Sequence, residues 1–203
     1  MATHDAETSS GPLLSFETDA DTWVPVLRTL ESMLKDRHYT HVKPLSHGED
    51  TFLLCTCKNT KGEPTFVFLS YEVKVGVRSL RKIKQESASS GAKHIILVSQ
   101  DGLTPFAARE LSDMDPSTVI EIFRKQDLSF PVTHHALVPT HTPLTKAQKA
   151  QLVSELGGRV SCLPKLRESD AVARYLHFQP GTVVRITRRI GSLEAEPYFR
   201  LVV

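Results

Sequence analysis

Apolar residues recur at helical spacing near the start of the chain and then in short runs. Between residues 23 and 39 they repeat three or four positions apart, which predicts one amphipathic helix. Trp23 begins this stripe, and we expect it to anchor a core rather than to bind a ligand. Two apolar runs, 51–57 and 65–69, flank a loop with glycine and proline, and this arrangement predicts a β-hairpin.

Strands and helices alternate in the residues that follow. A polar helix is predicted from Leu80 to just before Gly91, and a buried strand over 94–98. A second helix over 105–111 and another strand over 119–123 continue the alternation. This order of elements predicts a mixed sheet with helices packed on it.

The last seventy or so residues predict a smaller unit of two helices and two strands. Thr145 and Gln148 have the spacing of a capping box, and Asp170 has the position of a second helix N-cap. Strands are predicted over 182–188 and 197–203, as partners of each other. The apolar stripe of the first helix consists of Leu152, Val153 and Leu156.

The predicted fold class is therefore α+β, or mixed α/β, with two domains. Residues 1–19 are rich in Thr, Ser, Asp and Glu and predict a disordered tail. Residues 20–130 form an N-terminal mixed-sheet domain with flanking helices, and residues 131–203 form a small C-terminal α+β domain.

Composition and charge narrow the possible functions. No apolar run is long enough to cross a bilayer, and we expect neither a membrane association nor a cleaved signal. Lys and Arg outnumber Asp and Glu by 10 to 5 in residues 133–203, whereas residues 1–132 hold 15 against 18. A basic C-terminal domain fits nucleic acid or an acidic protein surface, and the charge alone does not choose between them.

Three segments of the C-terminal domain, 133–141, 163–175 and 198–203, resemble the assembly domain of the fifth subunit shared by eukaryotic nuclear RNA polymerases. The archaeal counterpart of that polymerase subunit is similar in the same domain. Weaker similarity to the N-terminal jaw domain of the eukaryotic protein follows three further segments, 33–39, 75–78 and 103–107.

The resemblance implies a non-catalytic subunit of a DNA-directed RNA polymerase in the nucleus. It would dock on the largest subunit, contact other subunits, and form the lower jaw near downstream duplex DNA, which it would contact without reading sequence. The resemblance implies no cofactor, no metal and no small-molecule substrate for this chain.

One turn is implied to lie near the DNA. Its residues are Thr104, Pro105, Phe106 and Arg109, and the family reads Thr-Pro-Ser-Ala where this chain has Thr104 to Ala107. Thr at an N-cap with Pro at the first helical position leaves backbone N–H groups that suit a phosphate. Phe106 removes one hydroxyl donor from that turn.

A second set of residues matches the assembly-domain pattern, and the resemblance implies that they shape that domain or its contacts. They are His134, His135, Leu137, Val138, Pro139, His141, Leu163, Pro164, Asp170, Arg174, Tyr175, Gly181, Arg188, Tyr198 and Arg200.

The chain departs from the family at Ala136, at Ala171 and in the run 188–196. These departures favour a divergent paralogue that serves one polymerase, with RNA polymerase I and the nucleolus as our first choice. The alternative is a single shared copy in a fast-evolving lineage.

Two other functions stay open from the residues alone. Asp50, Glu72 and Lys74 have the order of a metal-dependent nuclease site, although charged residues at strand ends are usually only solvated. A free-standing nucleic-acid-binding module is the other alternative. Cys55 and Cys57 have no second ligand pair, so we expect no zinc site, and three cysteines suit a reducing compartment.

Overall fold

A computed structural model describes residues 20–44, 51–89, 91–112, 118–190, 193–194 and 197–203. The predicted tail, 1–19, lies outside these residues. Contacts divide the chain into two compact units. The first comprises Met1–Glu31 with Tyr39–Leu128, and the second comprises Ser32–His38 with Ser129–Val203.

A mixed sheet is the centre of the first unit. Its strands are β1 (Thr40–Pro44), β2 (Thr51–Lys58), β3 (Pro64–Ser70), β4 (His94–Ser99) and β5 (Val119–Arg124). They pair in that order, antiparallel from β1 to β3 and parallel from β3 to β5. The predicted mixed sheet and its hairpin are confirmed, while β1 was not predicted because its sequence has a single large apolar residue, Val42.

The parallel half of this sheet is buried because helices join its strands. α2 (Val77–Ser89) connects β3 to β4, and α3 (Pro105–Ser112) connects β4 to β5. Every residue of β4 is buried, as expected for a strand of a covered parallel sheet. Phe68, Ile83 and Leu97 belong to the apolar cluster that the sheet and α2 share.

The first helix, α1 (Ala20–Asp36), ends three residues earlier than the sequence predicted. His38, with a φ of 58°, has left-handed backbone that cannot continue the helix. Trp23 is buried, and its ring meets the Tyr71 ring edge to face with centroids 5.4 Å apart. The Nζ atom of Lys125 lies 4.7 Å from the Trp23 ring centroid. Because Trp23 is buried, the prediction that it anchors a core is confirmed.

A four-stranded sheet forms the second unit. Its strands are β6 (Thr140–Pro143), β7 (Lys165–Leu166), β8 (Val183–Thr187) and, last in the chain, β11 (Tyr198–Val202), in the order β6-β8-β11-β7. Two short strands, β9 (Arg189–Ile190) and β10 (Leu193–Glu194), pair with each other between β8 and β11. The predicted pairing of the last two long strands is confirmed, and it is antiparallel. β6 and β7, which were not predicted, add an antiparallel edge and a parallel edge.

Both predicted helices of this unit begin at their predicted caps. α4 (Lys146–Glu155) has the complete capping box, since Thr145 Oγ1 accepts from the Gln148 amide and Gln148 Oε1 accepts from the Thr145 amide. α5 (Ala171–Tyr175) is capped by Asp170, which accepts from the amides of its second and third residues. The stripe of α4 packs only partly, because no residue of that helix is fully buried.

One apolar cluster of the second unit lies on a single face of its sheet. Val184 and Ile186 of β8 are buried there with Phe178, whereas Arg185 between them is exposed. This is the alternation that the sequence predicts for a strand, except that Val183, on the same face as Arg185, is also buried. Of the helices in the described ranges, none combines the length and the apolarity that crossing a bilayer would need.

Candidate functional site

The Thr104 turn lies where the loops after β3 and β4 are hydrogen-bonded to each other. The Val75 amide donates to Gly102 O at 2.9 Å, and the Thr104 amide donates to Val75 O at 3.1 Å. Gly102 takes a φ of +87°, which a glycine tolerates and most other residues do not. The turn therefore sits on two braced loops at the carboxyl end of parallel strands.

Thr104 caps α3, as the sequence predicted. Its Oγ1 atom accepts from the Ala107 amide at 3.3 Å. Pro105, Phe106 and Arg109 are exposed, and Phe106 presents 73% of its surface to solvent. The four residues implied to lie near DNA thus share one helix start, where Thr104 is half-buried and the other three are exposed.

Several charges near this turn are already paired. Arg81 donates to both carboxylate oxygens of Glu110 at 2.8 and 3.2 Å. These hydrogen bonds lower the pKa of Glu110 and raise the pKa of Arg81. Lys74 lies 3.4 Å from Asp101, so its charge is offset within the same pair of loops.

The residues of the nuclease alternative have structural partners of their own. Glu72 accepts from the Gly76 amide at 3.2 Å and from Ser79 Oγ at 2.5 Å, at the start of α2. Lys74 pairs with Asp101. Asp50 lies outside the described residues. The contacts of Glu72 and Lys74 therefore do not favour a nuclease site, in which these side chains would hold a metal and an attacking water.

The cysteines differ sharply in exposure. Cys55 and Cys57 are buried on β2, while Cys162 of the second unit is exposed. Burial, with a smaller contribution from Cys57, raises the pKa of the Cys55 thiol to about 12. Cys55 is therefore a protonated thiol near neutral pH.

We predict that iodoacetamide at pH 8 modifies Cys162 alone in the folded chain. The thiolate is the reactive form. Burial limits the access of the reagent to Cys55 and Cys57, and it also raises the pKa of the Cys55 thiol. Mass spectrometry of digested peptides measures the labelling. Cys162→Ser should abolish native labelling, and rapid native modification of Cys55 would contradict the described packing.

In the second unit, Asp36 gathers three side chains from distant parts of the sequence. Its Oδ2 atom accepts from Thr133 Oγ1 at 2.9 Å and from the Tyr175 hydroxyl at 3.1 Å. His134 Nε2 lies 3.6 Å from the same oxygen. Burial and the Asp36 charge raise the pKa of the Tyr175 hydroxyl to about 12, although a hydrogen bond with Ser32 opposes this.

Arg37 binds the carboxyl end of α5. Its Nε atom donates to Tyr175 O and its Nη2 atom donates to Arg174 O, each at 2.8 Å. Arg37 is only 6% exposed. Arg174 and Tyr175 were named from the sequence, whereas Asp36 and Arg37 were missed, although both lie in the segment 33–39 that carried the weaker resemblance.

A tight turn follows Thr133. The Val138 amide donates to His135 O at 2.9 Å, and the Leu137 amide donates to His135 Nδ1 at 3.2 Å. Leu137 is 86% exposed, whereas Val138 and Pro139 are half-buried. Beyond the turn, His141 Nδ1 donates to Pro139 O at 2.8 Å. His135 and His141 therefore each hydrogen-bond within this segment.

Tyr198 lies between two arginines. Arg188 Nε donates to the Tyr198 hydroxyl at 3.2 Å, and the guanidinium carbons of Arg188 and Arg200 lie 5.2 and 6.0 Å from the ring centroid. Arg200 also donates to Lys165 O at 3.3 Å. Two positively charged guanidinium groups of the second unit therefore lie against one aromatic ring.

The remaining matched residues have structural positions. Leu163 is buried, and Pro164 O accepts from the Leu201 amide at 2.9 Å. Gly181 takes a φ of +84° and donates to Val202 O at 2.9 Å, which joins the turn before β8 to β11. Of the positions where the chain departs from the family, Ala136 and Ala171 are exposed. Residues 191–192 and 195–196 lie outside the described ranges.

Comparison with known proteins gives consistent similarities along the chain. A family model described as "RNA polymerase Rpb5, C-terminal domain" matches residues 130–202. A Caenorhabditis briggsae protein named "DNA-directed RNA polymerases I, II, and III subunit RPABC1" is 32% identical over 198 residues, covering 88% of this chain and 94% of the relative. The protein of that name from Caenorhabditis elegans is 32% identical over 154 residues, covering 76% of this chain and 73% of the relative.

A Dictyostelium discoideum protein, also named as a subunit of RNA polymerases I, II and III, is 30% identical over 180 residues. The match covers 84% of this chain and 91% of that relative. Among solved structures, a repair endonuclease from Pyrococcus abyssi is similar with a TM-score of 0.35 and 13% identity, covering 55% of this chain and 48% of that chain.

Proposed function

Since the chain belongs to the Rpb5 family of DNA-directed RNA polymerase subunits, we propose that its second unit docks on the largest subunit and that its first unit forms a jaw beside downstream DNA. As a family member the chain is a structural, non-catalytic subunit. The match that carries the docking proposal is the family model over 130–202, which spans nearly all of Ser129–Val203. The working place of such a subunit is the nucleus.

Crosslinking within the purified polymerase tests the docking proposal. The second unit offers Lys146, Lys149 and Lys165 as points of attachment for an amine-reactive crosslinker. We expect crosslinks from these lysines to the largest subunit, while Lys82 and Lys84 of α2 serve as the comparison in the first unit. Crosslinks to the largest subunit from α2 only would show that the first unit docks instead.

The jaw proposal rests on the Thr104 turn, which is exposed beside Arg109 and has a helix start that suits a phosphate. A photo-crosslinking amino acid at position 106 should attach to downstream duplex DNA in the assembled polymerase. The same amino acid at the exposed Val119 is the control, because Val119 begins β5 at the opposite end of the parallel strands. DNA attachment at 119 without attachment at 106 would remove the turn from the DNA path.

Specialisation for one polymerase is the finer part of the proposal. The departures at Ala136 and Ala171 and in the run 188–196 support a chain that serves a single polymerase, and RNA polymerase I in the nucleolus is our first choice. The relatives, by contrast, are named as subunits of polymerases I, II and III. Affinity purification with mass spectrometry decides between these: one largest subunit supports specialisation, and two or three refute it.

A free-standing nucleic-acid-binding module is the second candidate, since the basic excess of residues 133–203 favours it. Gel filtration of a cell extract separates the two functions. A polymerase subunit elutes with the large complex, whereas a free-standing module elutes near the mass of the single chain, 22.6 kDa.

A further inference from the structure

Leu137 is the most exposed large apolar side chain of the described residues, at 86%. A single exposed leucine on a surface is ordinary. Here the backbone is built to display it, and the surrounding segment contributes a second exposed apolar group. Phe130 is also exposed, and its ring centroid lies 6.0 Å from that of His135.

The turn that carries Leu137 is fixed by two hydrogen bonds to one residue. His135 accepts from the Val138 amide through its backbone carbonyl and from the Leu137 amide through Nδ1. The side-chain bond matches an Asx turn, in which a side chain accepts from the amide two residues on. Leu137 thus lies at the tip of a turn whose backbone conformation is already fixed.

Both ends of this segment are also held. On the amino side, Thr133 donates to the Asp36 carboxylate at 2.9 Å. On the carboxyl side, His141 donates to Pro139 O at 2.8 Å before β6 continues into the sheet. A backbone that is fixed before binding avoids part of the ordering cost of association, which favours Leu137 as an interface anchor.

We propose that Leu137 is the apolar anchor of the second unit and inserts into an apolar pocket with an acidic rim on another subunit of the polymerase. This inference rests on the proposed function and deepens it. Charge complementarity selects the rim, because residues 133–203 hold 10 basic side chains against 5 acidic ones. Arg188 and Arg200 on Tyr198 add exposed or half-exposed guanidinium groups to the same unit.

The test uses the tagged full-length chain expressed in cells, with recovery of the largest polymerase subunit as the readout. Leu137→Ala should lower recovery at least about tenfold, the effect of truncating an interface hot spot. Leu137→Met, which keeps the volume, should stay near wild type. Leu156→Ala is the matched control, because Leu156 is an exposed leucine of the same unit, at 40%.

The turn itself has a separate test. His135→Asn keeps a side-chain acceptor for the Leu137 amide and should retain recovery, whereas His135→Ala removes it and should lower recovery. Wild-type recovery should also fall as salt is added to the wash, since the rim is charged. Equal recovery for His135→Ala and His135→Asn would remove the turn from the mechanism, and salt-independent recovery would remove the acidic rim.

Wild-type recovery by Leu137→Ala would overturn the inference while leaving the proposed function intact. A wild-type chain that recovers no polymerase subunit would overturn both. Self-association through Leu137 is tested by gel filtration of the purified chain. A dimer that Leu137→Ala converts to a monomer would assign Leu137 to self-association instead.

Discussion

Replacing Phe68 by alanine should lower the free energy of unfolding of the first unit by about 3–5 kcal/mol, the usual cost of removing a buried aromatic ring. Phe68 is 1% exposed, and it belongs to the cluster between the sheet and α2. It lies opposite Leu97 of β4 and 6.3 Å from the Phe66 ring centroid. Its removal leaves a cavity between packed layers that can close only in part.

Tryptophan fluorescence during urea unfolding measures this effect, because Trp23 is the single tryptophan of the chain and belongs to the first unit. Phe106→Ala is the matched control. Phe106 is 73% exposed, so its removal should change the free energy of unfolding by less than about 0.5 kcal/mol. Equal effects of the two substitutions would contradict the assigned core.

Arg37→Ala should destabilise the second unit by about 2–4 kcal/mol, because it removes two charge-assisted hydrogen bonds from a buried site. The Tyr175 carbonyl would lose its donor, whereas the Arg174 carbonyl would keep the His177 amide, which donates to it at 3.1 Å. Carbonyls in the last turn of a helix have no partner within the helix, so the Tyr175 carbonyl in particular depends on Arg37.

Hydrogen exchange of the α5 amides measures this loss in the place where it is expected. Arg37→Lys is the control: it keeps the charge but not the planar fork, and it should restore protection only in part. Normal protection of Ala171–Tyr175 in Arg37→Ala would show that other contacts hold α5.

Elements with a strong local signal were predictable from the sequence. α1, the β2–β3 hairpin and the capped helices α4 and α5 carry periodicity, turn residues or cap residues within a few positions. β1, β6 and β7 were not predicted, because short strands with few apolar residues gain their identity from the strand that they pair with.

The contacts of the second unit were harder to predict than its fold. Asp36 and Arg37 have the appearance of solvated charges at a helix end, and their partners lie 137 to 139 residues away in Arg174 and Tyr175. The exposure of Leu137 was equally hidden, since hydropathy alone assigns a leucine between apolar neighbours to an interior. The spacing of residues in the sequence predicts neither these long-range contacts nor the exposure of Leu137.

The division of the chain sets an order for folding during synthesis. Ser32–His38 belongs to the second unit, yet all of Tyr39–Leu128 is translated before the remainder of that unit begins. The first unit can therefore complete its sheet early, whereas the second depends on contacts of very high sequence separation, which form slowly. In a nascent chain that has reached Leu128, α5 is not yet made, so Arg37 still lacks the two carbonyl oxygens to which it donates in the folded unit.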